Sequence, residues 1–131
     1  MNKKLMFLCA FICFFTFGSA KANTLNSIDT TVYIDENGNG RVTEVWQLNA
    51  NEGTESYHSF GNLEGRSISD FTVSMDGQNY TSQSFWNINQ SKAEKAYKNG
   101  INYTDKGLEL CWGIEYGSHT YTINYTINNL V

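Results

Sequence analysis

Ile28-Asp29-Thr30-Thr31-Val32-Tyr33-Ile34-Asp35-Glu36-Asn37-Gly38-Asn39-Gly40-Arg41-Val42-Thr43-Glu44-Val45-Trp46-Gln47-Leu48 is the stretch whose reading decides the fold. Its first third has a period of two. Ile28, Thr30, Val32 and Ile34 fall on one face, and Asp29, Thr31 and Tyr33 on the other. A dense turn cluster, Asp35 to Gly40, interrupts the alternation. It then resumes, with Val42, Glu44, Trp46 and Leu48 set against Thr43, Val45 and Gln47. Two alternating runs around an Asn/Gly turn predict a β-hairpin, because Asn and Gly tolerate the positive φ that such turns need.

Downstream of the hairpin the same period recurs. Tyr57 to Phe60 reads as a short strand. Ser67 to Met75 reads as a longer one, with Phe71, Val73 and Met75 in phase and a slip near Asp70 that predicts a bulge. Asp76-Gly77 is a two-residue hairpin turn leading into Gln78 to Ser82. Leu108, Leu110, Trp112 and Ile114 share a face; Tyr121, Ile123, Tyr125 and Ile127 then alternate with Thr120, Thr122, Asn124 and Thr126. One segment breaks the pattern. Across Gln90 to Lys98, Ala93, Ala96 and Tyr97 lie at helical spacing, with Lys92, Lys95 and Lys98 toward solvent and Asn99-Gly100 as C-cap. Many short strands with little helix predict an all-β protein, an antiparallel β-sandwich of immunoglobulin-like or jelly-roll-like type with one short helix.

Upstream of the hairpin the chemistry changes. Asn2-Lys3-Lys4 is a basic start, Leu5 to Phe17 is apolar apart from Thr16, and Ala20-Lys21-Ala22 ends the segment with small residues. This is the pattern of a secretory signal peptide cleaved after Ala22. It is too short for a membrane span, which takes about 20 apolar residues. The expected organisation is a signal peptide over 1–22 and one domain over 23–131. Of the 131 residues, the leader holds three of the nine Lys+Arg and none of the thirteen acids, so the remaining 109 residues carry a net charge of −7. That acidity disfavours nucleic acid, whose phosphates are neutralised by Lys and Arg. Cys9 and Cys13 leave with the leader, so Cys111 stands alone and reads as a small buried hydrophobe.

Motifs for chemistry are sparse. Asp35, Asn37 and Asn39 followed by Gly40 reproduce the first half of a calcium loop, making these three the candidate metal ligands. Position twelve is Trp46 rather than the glutamate that completes such a shell. His58 and His119 have no metal-ligand spacing; either of them with Asp70 and a serine would be the only route to a hydrolytic triad. No nucleophile elbow, phosphate-cradling loop or cofactor motif is present. No catalytic residue and no cofactor are expected. Trp86, Tyr80 and Tyr103 are the candidate ligand-binding aromatics, since exposed rings on a secreted sandwich can stack on sugars. For Trp46 and Trp112 the strand phase points to the core.

The opening Ile28 to Gly38 with Arg41-Val42-Thr43-Glu44-Val45-Trp46 resembles a "vxvxxdGsxxVTExw" pattern. The close Gly107 to Ile114 with Tyr116-Gly117-Ser118-His119-Thr120-Tyr121-Thr122-Ile123-Asn124-Tyr125-Thr126-Ile127 resembles "GxHtYtixYtv". Both are similar to the N-terminal extracytoplasmic domain of bacterial predicted membrane proteins, the domain of unknown function 2207 family. The resemblance spans Ile28 to Val131. It implies a signal peptide before a β-rich domain, with transmembrane helices after it, and carries no catalytic residues to transfer. Either the chain is a fragment of such a protein, with membrane contact only through a missing C-terminal segment, or it is a free-standing secreted version. The function expected is a non-enzymatic extracytoplasmic module of a bacterial cell-envelope protein, serving recognition or structure. Its partner would be an unidentified protein or cell-wall component. The alternative is a carbohydrate- or cell-wall-binding module that uses exposed aromatics.

Overall fold

The computed structural model describes residues 22–131. The leader with its two cysteines lies outside them, Ala22 excepted. Nine strands and one short helix follow in order: β1 Thr24–Ile34, β2 Gly40–Ala50, β3 Glu55–Phe60, β4 Ser67–Met75, β5 Gln78–Asn79, β6 Thr81–Ser82, α1 Lys92–Lys95, β7 Lys98–Thr104, β8 Gly107–Gly113 and β9 Gly117–Asn128. They form two sheets, ordered β1-β2-β9-β4-β5 and β3-β8-β7-β6. All pairings are antiparallel except β6 with β7. The chain is therefore an all-β sandwich.

The hairpin forms as its alternation predicts. Ile34 pairs with Gly40 and Ile28 with Trp46. Asp35 closes the turn by accepting the N–H groups of Asn37 and Asn39 on Oδ1 at 2.9 and 3.0 Å. Gly38 sits at φ +81°, which a side chain adopts only with strain. In β4 the slip near Asp70 is a real bulge: pairing with β9 shifts between Ser69 and Thr72, and Asp70 itself has φ +56°. Asp76 and Gly77 both take positive φ, the signature of a two-residue hairpin turn.

Between the sheets lies one apolar layer. Val42, Trp46, Leu48, Phe71, Val73 and Met75 of the first sheet meet Leu108, Leu110, Trp112 and Ile114 of the second. Trp46 stands edge-on to Trp112 with ring centroids 5.0 Å apart, a favourable arrangement of the two quadrupoles.

Three expectations change. The segment Gln78 to Ser82 is not one strand. Tyr80 divides it, because its N–H pairs with Val73 of β4 while Thr81 N–H pairs with Tyr97, so the chain crosses from one sheet to the other here. The helix spans only Lys92–Lys95, opened by a Ser91/Glu94 capping box and ended where Ala96 turns extended. Its buried residue is Lys95, not Ala93, which reverses the expected faces. Asn99-Gly100 is no cap; both residues lie inside β7. Gly100 gives Trp86 room there, since a Cβ would come within 3.3 Å of its ring. Sequence alternation did not show β7 for the same reason: its middle is fitted to a covering segment rather than to the core.

That covering segment makes a partial third layer. Residues 83–91 and α1 lie over the outer face of β7 and β8. A Cβ on Gly113 would sit 2.0 Å from the Lys95 carbonyl oxygen, so glycine lets α1 rest directly on the strand. Cys111 is buried beneath this layer, on the side of β8 away from the apolar core.

Candidate functional site

Glu44 is the least expected residue of the core. It projects from β2 in phase with Val42 and Trp46 and is almost fully buried. A carboxylate in such a place needs donors, or desolvation would neutralise it. Three are present. Trp46 donates its Nε1–H to Oε1 at 2.8 Å. Tyr125 donates its hydroxyl to Oε2. His58 of β3 places Nδ1 2.9 Å from Oε2 and 3.1 Å from Oε1. Burial alone would raise the Glu44 carboxyl, but the hydrogen bonds from His58, Tyr125 and Trp46 outweigh it and hold the group below its ordinary value. Burial raises the Tyr125 hydroxyl, and Glu44 adds to the effect. Phe60 stacks on His58 at 4.5 Å and meets Tyr125 edge-on at 5.5 Å. The cluster therefore ties the two sheets together across β2, β9 and β3.

A second buried ionic group lies on the other side of β8. Lys95 Nζ donates to Glu55 Oε1 at 2.7 Å, to Ile88 O at 2.8 Å and to Thr54 Oγ1 at 2.9 Å. Trp86 donates Nε1–H to the other Glu55 oxygen at 2.8 Å. All three ammonium hydrogens and both carboxylate oxygens are used, which is what makes a buried pair tolerable. A third pair is exposed. His119 Nδ1 lies 2.6 Å from Asp76 Oδ2, and Thr120 N–H donates to Oδ1 at 2.9 Å. The Asp76 partner raises the His119 imidazole, while the Thr120 amide and His119 lower Asp76.

The hydrolytic arrangement does not assemble. His58 is held by Glu44, His119 by Asp76, and Asp70 sits on the β4 bulge away from both. Ser59 alternates to the face opposite His58 and reaches Glu109 at 3.4 Å. Burial raises the Cys111 thiol well above its ordinary value, leaving no reactive thiolate. At the proposed calcium loop, Asp35 Oδ1 already accepts two backbone hydrogens, and Asn39 Oδ1 accepts the Asn129 N–H at 3.0 Å. Asn37 donates its N–H into the same turn. Among the described residues no group of three or more His, Cys, Asp or Glu converges as a metal site.

The candidate aromatics separate. Trp86, read as a stacking platform, is only 3% exposed and faces inward to Glu55 and Gly100. Tyr80 is buried with its hydroxyl donating to Gly113 O at 2.8 Å. Only Tyr103 is exposed, at the far end of β7. Reading Trp86 and Tyr80 as surface rings therefore needs correcting. Each sits beside a polar partner that satisfies its N–H or O–H, which is what allows burial. Their neighbour Phe85 does reach solvent, in a shallow depression of about 310 Å³ shared with Gln83, Ser84, Asn87 and Gln90.

A second open surface lies elsewhere. Every residue of β1 is exposed. Opposite residues of an antiparallel pair project to the same side. Ile28 opposes Trp46 and Val32 opposes Val42, so Ile28, Val32 and Ile34 point toward the inner side of the sheet. They are nonetheless 42%, 50% and 49% exposed. The cause is an offset. β3 lies over β2 and β9, as the contacts of His58 and Phe60 with Trp46, Glu44 and Tyr125 show. The first sheet extends one strand further, and that strand is β1. Among the described residues β3 pairs only with β8, so its other edge is free there. No such open side was visible in the sequence, since alternation in β1 is the same whether or not a layer covers it.

No family model, no curated protein and no solved structure matches this chain.

Proposed function

We propose that this chain is an exported, non-enzymatic β-sandwich that serves as a recognition or structural module on the extracytoplasmic side of a bacterial cell envelope. One contrast carries the reading. The acids and bases nearest to chemistry, Glu44, His58, Glu55, Lys95, Asp76 and His119, are all committed to partners within the fold. The apolar residues Ile28, Val32 and Ile34 of β1 pair with β2 but are 42–50% exposed, with no strand of the second sheet over them among the described residues. Catalysis needs groups free to act on a substrate, whereas binding needs surface free to be covered. The leader-like residues 1–22 support export. The opening and closing strand patterns support a place among the N-terminal domains of unknown function 2207. No helix among the described residues is long and apolar enough to cross a membrane. Expression of the full chain in a bacterium tests the export. A processed N-terminus at Asn23 and protease access on intact cells are expected; an uncleaved chain held in the cytoplasm overturns the proposal.

A carbohydrate-binding role has one observation in its favour, the Phe85 depression. Phe85 is 69% exposed, beside Gln83, Ser84 and Asn87. An aromatic ring beside amides and a hydroxyl suits a sugar. Calorimetry across a panel of cell-wall glycans should then give heat that Phe85→Ala removes. Absence of heat across the panel eliminates this role.

A further inference from the structure

We propose that the open side of the sandwich accepts one extended strand from another protein, added to the free edge of β3 and laid over the apolar face of β1. This names a partner class for the recognition reading and rests on it. Strand spacing makes the two features one site. Neighbouring strands are about 4.8 Å apart, and packed sheets about 10 Å apart. A strand paired to β3 therefore advances the second sheet by one position. β1 is one position beyond β2 in the sheet below. The added strand would come to lie over Ile28, Val32 and Ile34, which face that side and lack cover. Its main chain would satisfy the β3 edge, and its alternate side chains would bury the β1 floor.

Neither strand carries the lysine or proline that commonly blunts an edge, although β3 has Glu55 and His58. Natural edges are blunted by lysine, proline or short length. β1 runs eleven residues with Asp29 as its only charge, and β3 has neither lysine nor proline. The inward residues of β1 are Leu25, Ile28, Thr30, Val32 and Ile34, so the floor is uncharged. Its ends are acidic. Exposed Glu52 follows β2 at one end and exposed Glu36 lies in the turn at the other, where Glu64 is already paired with Arg66 at 3.9 Å. The fitting partner is thus a strand with apolar residues at every second position and Lys or Arg at its ends. A second copy fits poorly. Antiparallel pairing of β1 with its own copy would bring Glu52 of one chain toward the Glu36 turn of the other, between two domains each of net charge −7.

A synthetic peptide of alternating Thr with Val and Ile, flanked by lysines, is the probe. It is titrated into the processed full chain and followed by fluorescence anisotropy and amide NMR. Saturable binding is expected, with shifts at Tyr57, His58, Ser59 and Val32. Val32→Lys should weaken it by at least about tenfold, because one apolar contact is lost and a like charge is introduced on the floor. Thr31→Lys, on the opposite face of the same strand, should not; it carries the same added charge and so removes general repulsion as an explanation. A glutamate-flanked peptide and one with its apolar residues contiguous should bind more weakly. The proposal is overturned by no saturable binding, by equal binding to the Val32→Lys chain, by equal binding of the glutamate-flanked peptide, or by a concentration-dependent dimer that occupies β1. If the peptide fails while Val32→Lys still releases the chain from the envelope fraction, recognition stands and strand addition falls. If the chain is never exported, both fall.

Discussion

β1 and β9 flank the same strand. Both zip antiparallel onto β2 along almost its whole length, and both turn a row rich in Ile, Val or Tyr toward the inner side of the sheet. Yet Tyr121, Ile123 and Tyr125 of β9 are buried, while Ile28, Val32 and Ile34 of β1 are nearly half exposed. The difference is not composition. β9 has β8 and β3 above it; among the described residues no strand lies above β1. Alternation reports which way a side chain points, and the offset of the second sheet decides whether anything meets it.

The comparison breaks first at the apolar positions. Ile123→Ala should cost about 2–5 kcal/mol in urea unfolding, since a fully buried Ile leaves a cavity. Ile28→Ala should cost under about 1 kcal/mol, because water already reaches the site. Equal losses would mean that β1 is covered in solution. Next comes the polar anchoring of β9. Tyr125→Phe removes one of the donors to Glu44 and should cost about 1–3 kcal/mol. Tyr33→Phe on β1 should change stability by less than about 0.5 kcal/mol.

Acid should act through the same anchoring. The Glu44 carboxyl is lower in the folded chain than its ordinary value of 4.5. A depressed carboxyl stabilises the fold above the unfolded value, and that contribution fades as pH falls through the folded one. Asp76 works in the same direction. His119 works in the opposite sense: raised above 6.5, it stabilises at low pH and loses that contribution as pH rises through its folded value. Unfolding midpoints measured from pH 7 down to pH 3 should therefore fall in the wild type and fall less steeply in Glu44→Gln. A parallel fall in both would remove Glu44 from the account. The smallest effects belong to the surface. Val32→Lys and Thr31→Lys should each move stability by less than about 0.5 kcal/mol. Millimolar calcium should leave Tm unchanged, because the Asp35 and Asn39 oxygens already accept backbone hydrogens. A rise in Tm with calcium would return that turn to metal binding.

Much of the fold was legible because its signals are local. The Asp35–Gly40 turn, the Asp76-Gly77 turn and the Asp70 bulge each follow from a few adjacent residues. The phases of β2, β4, β8 and β9 follow from period two. What escaped was set by distant partners. Lys95 reads as a solvated lysine until Glu55, some forty residues away, is placed beside it. Trp86 reads as a loop aromatic until Gly100 opens room for its ring. Glu44 in an apolar phase was the one available hint of a buried network, but its donors come from β9 and β3 as well as from its neighbour Trp46.

The place of β9 has a consequence for timing. It is the last strand made, and it occupies the middle of the first sheet, between β2 and β4. Until it arrives, β1–β2 and β4–β5 are separate hairpins with no sheet in common, and isolated hairpins are marginal in water. Gly40 must wait for Ile127, so the first sheet depends on pairing between residues far apart in sequence. A sheet built this way is complete only when its central strand is in place.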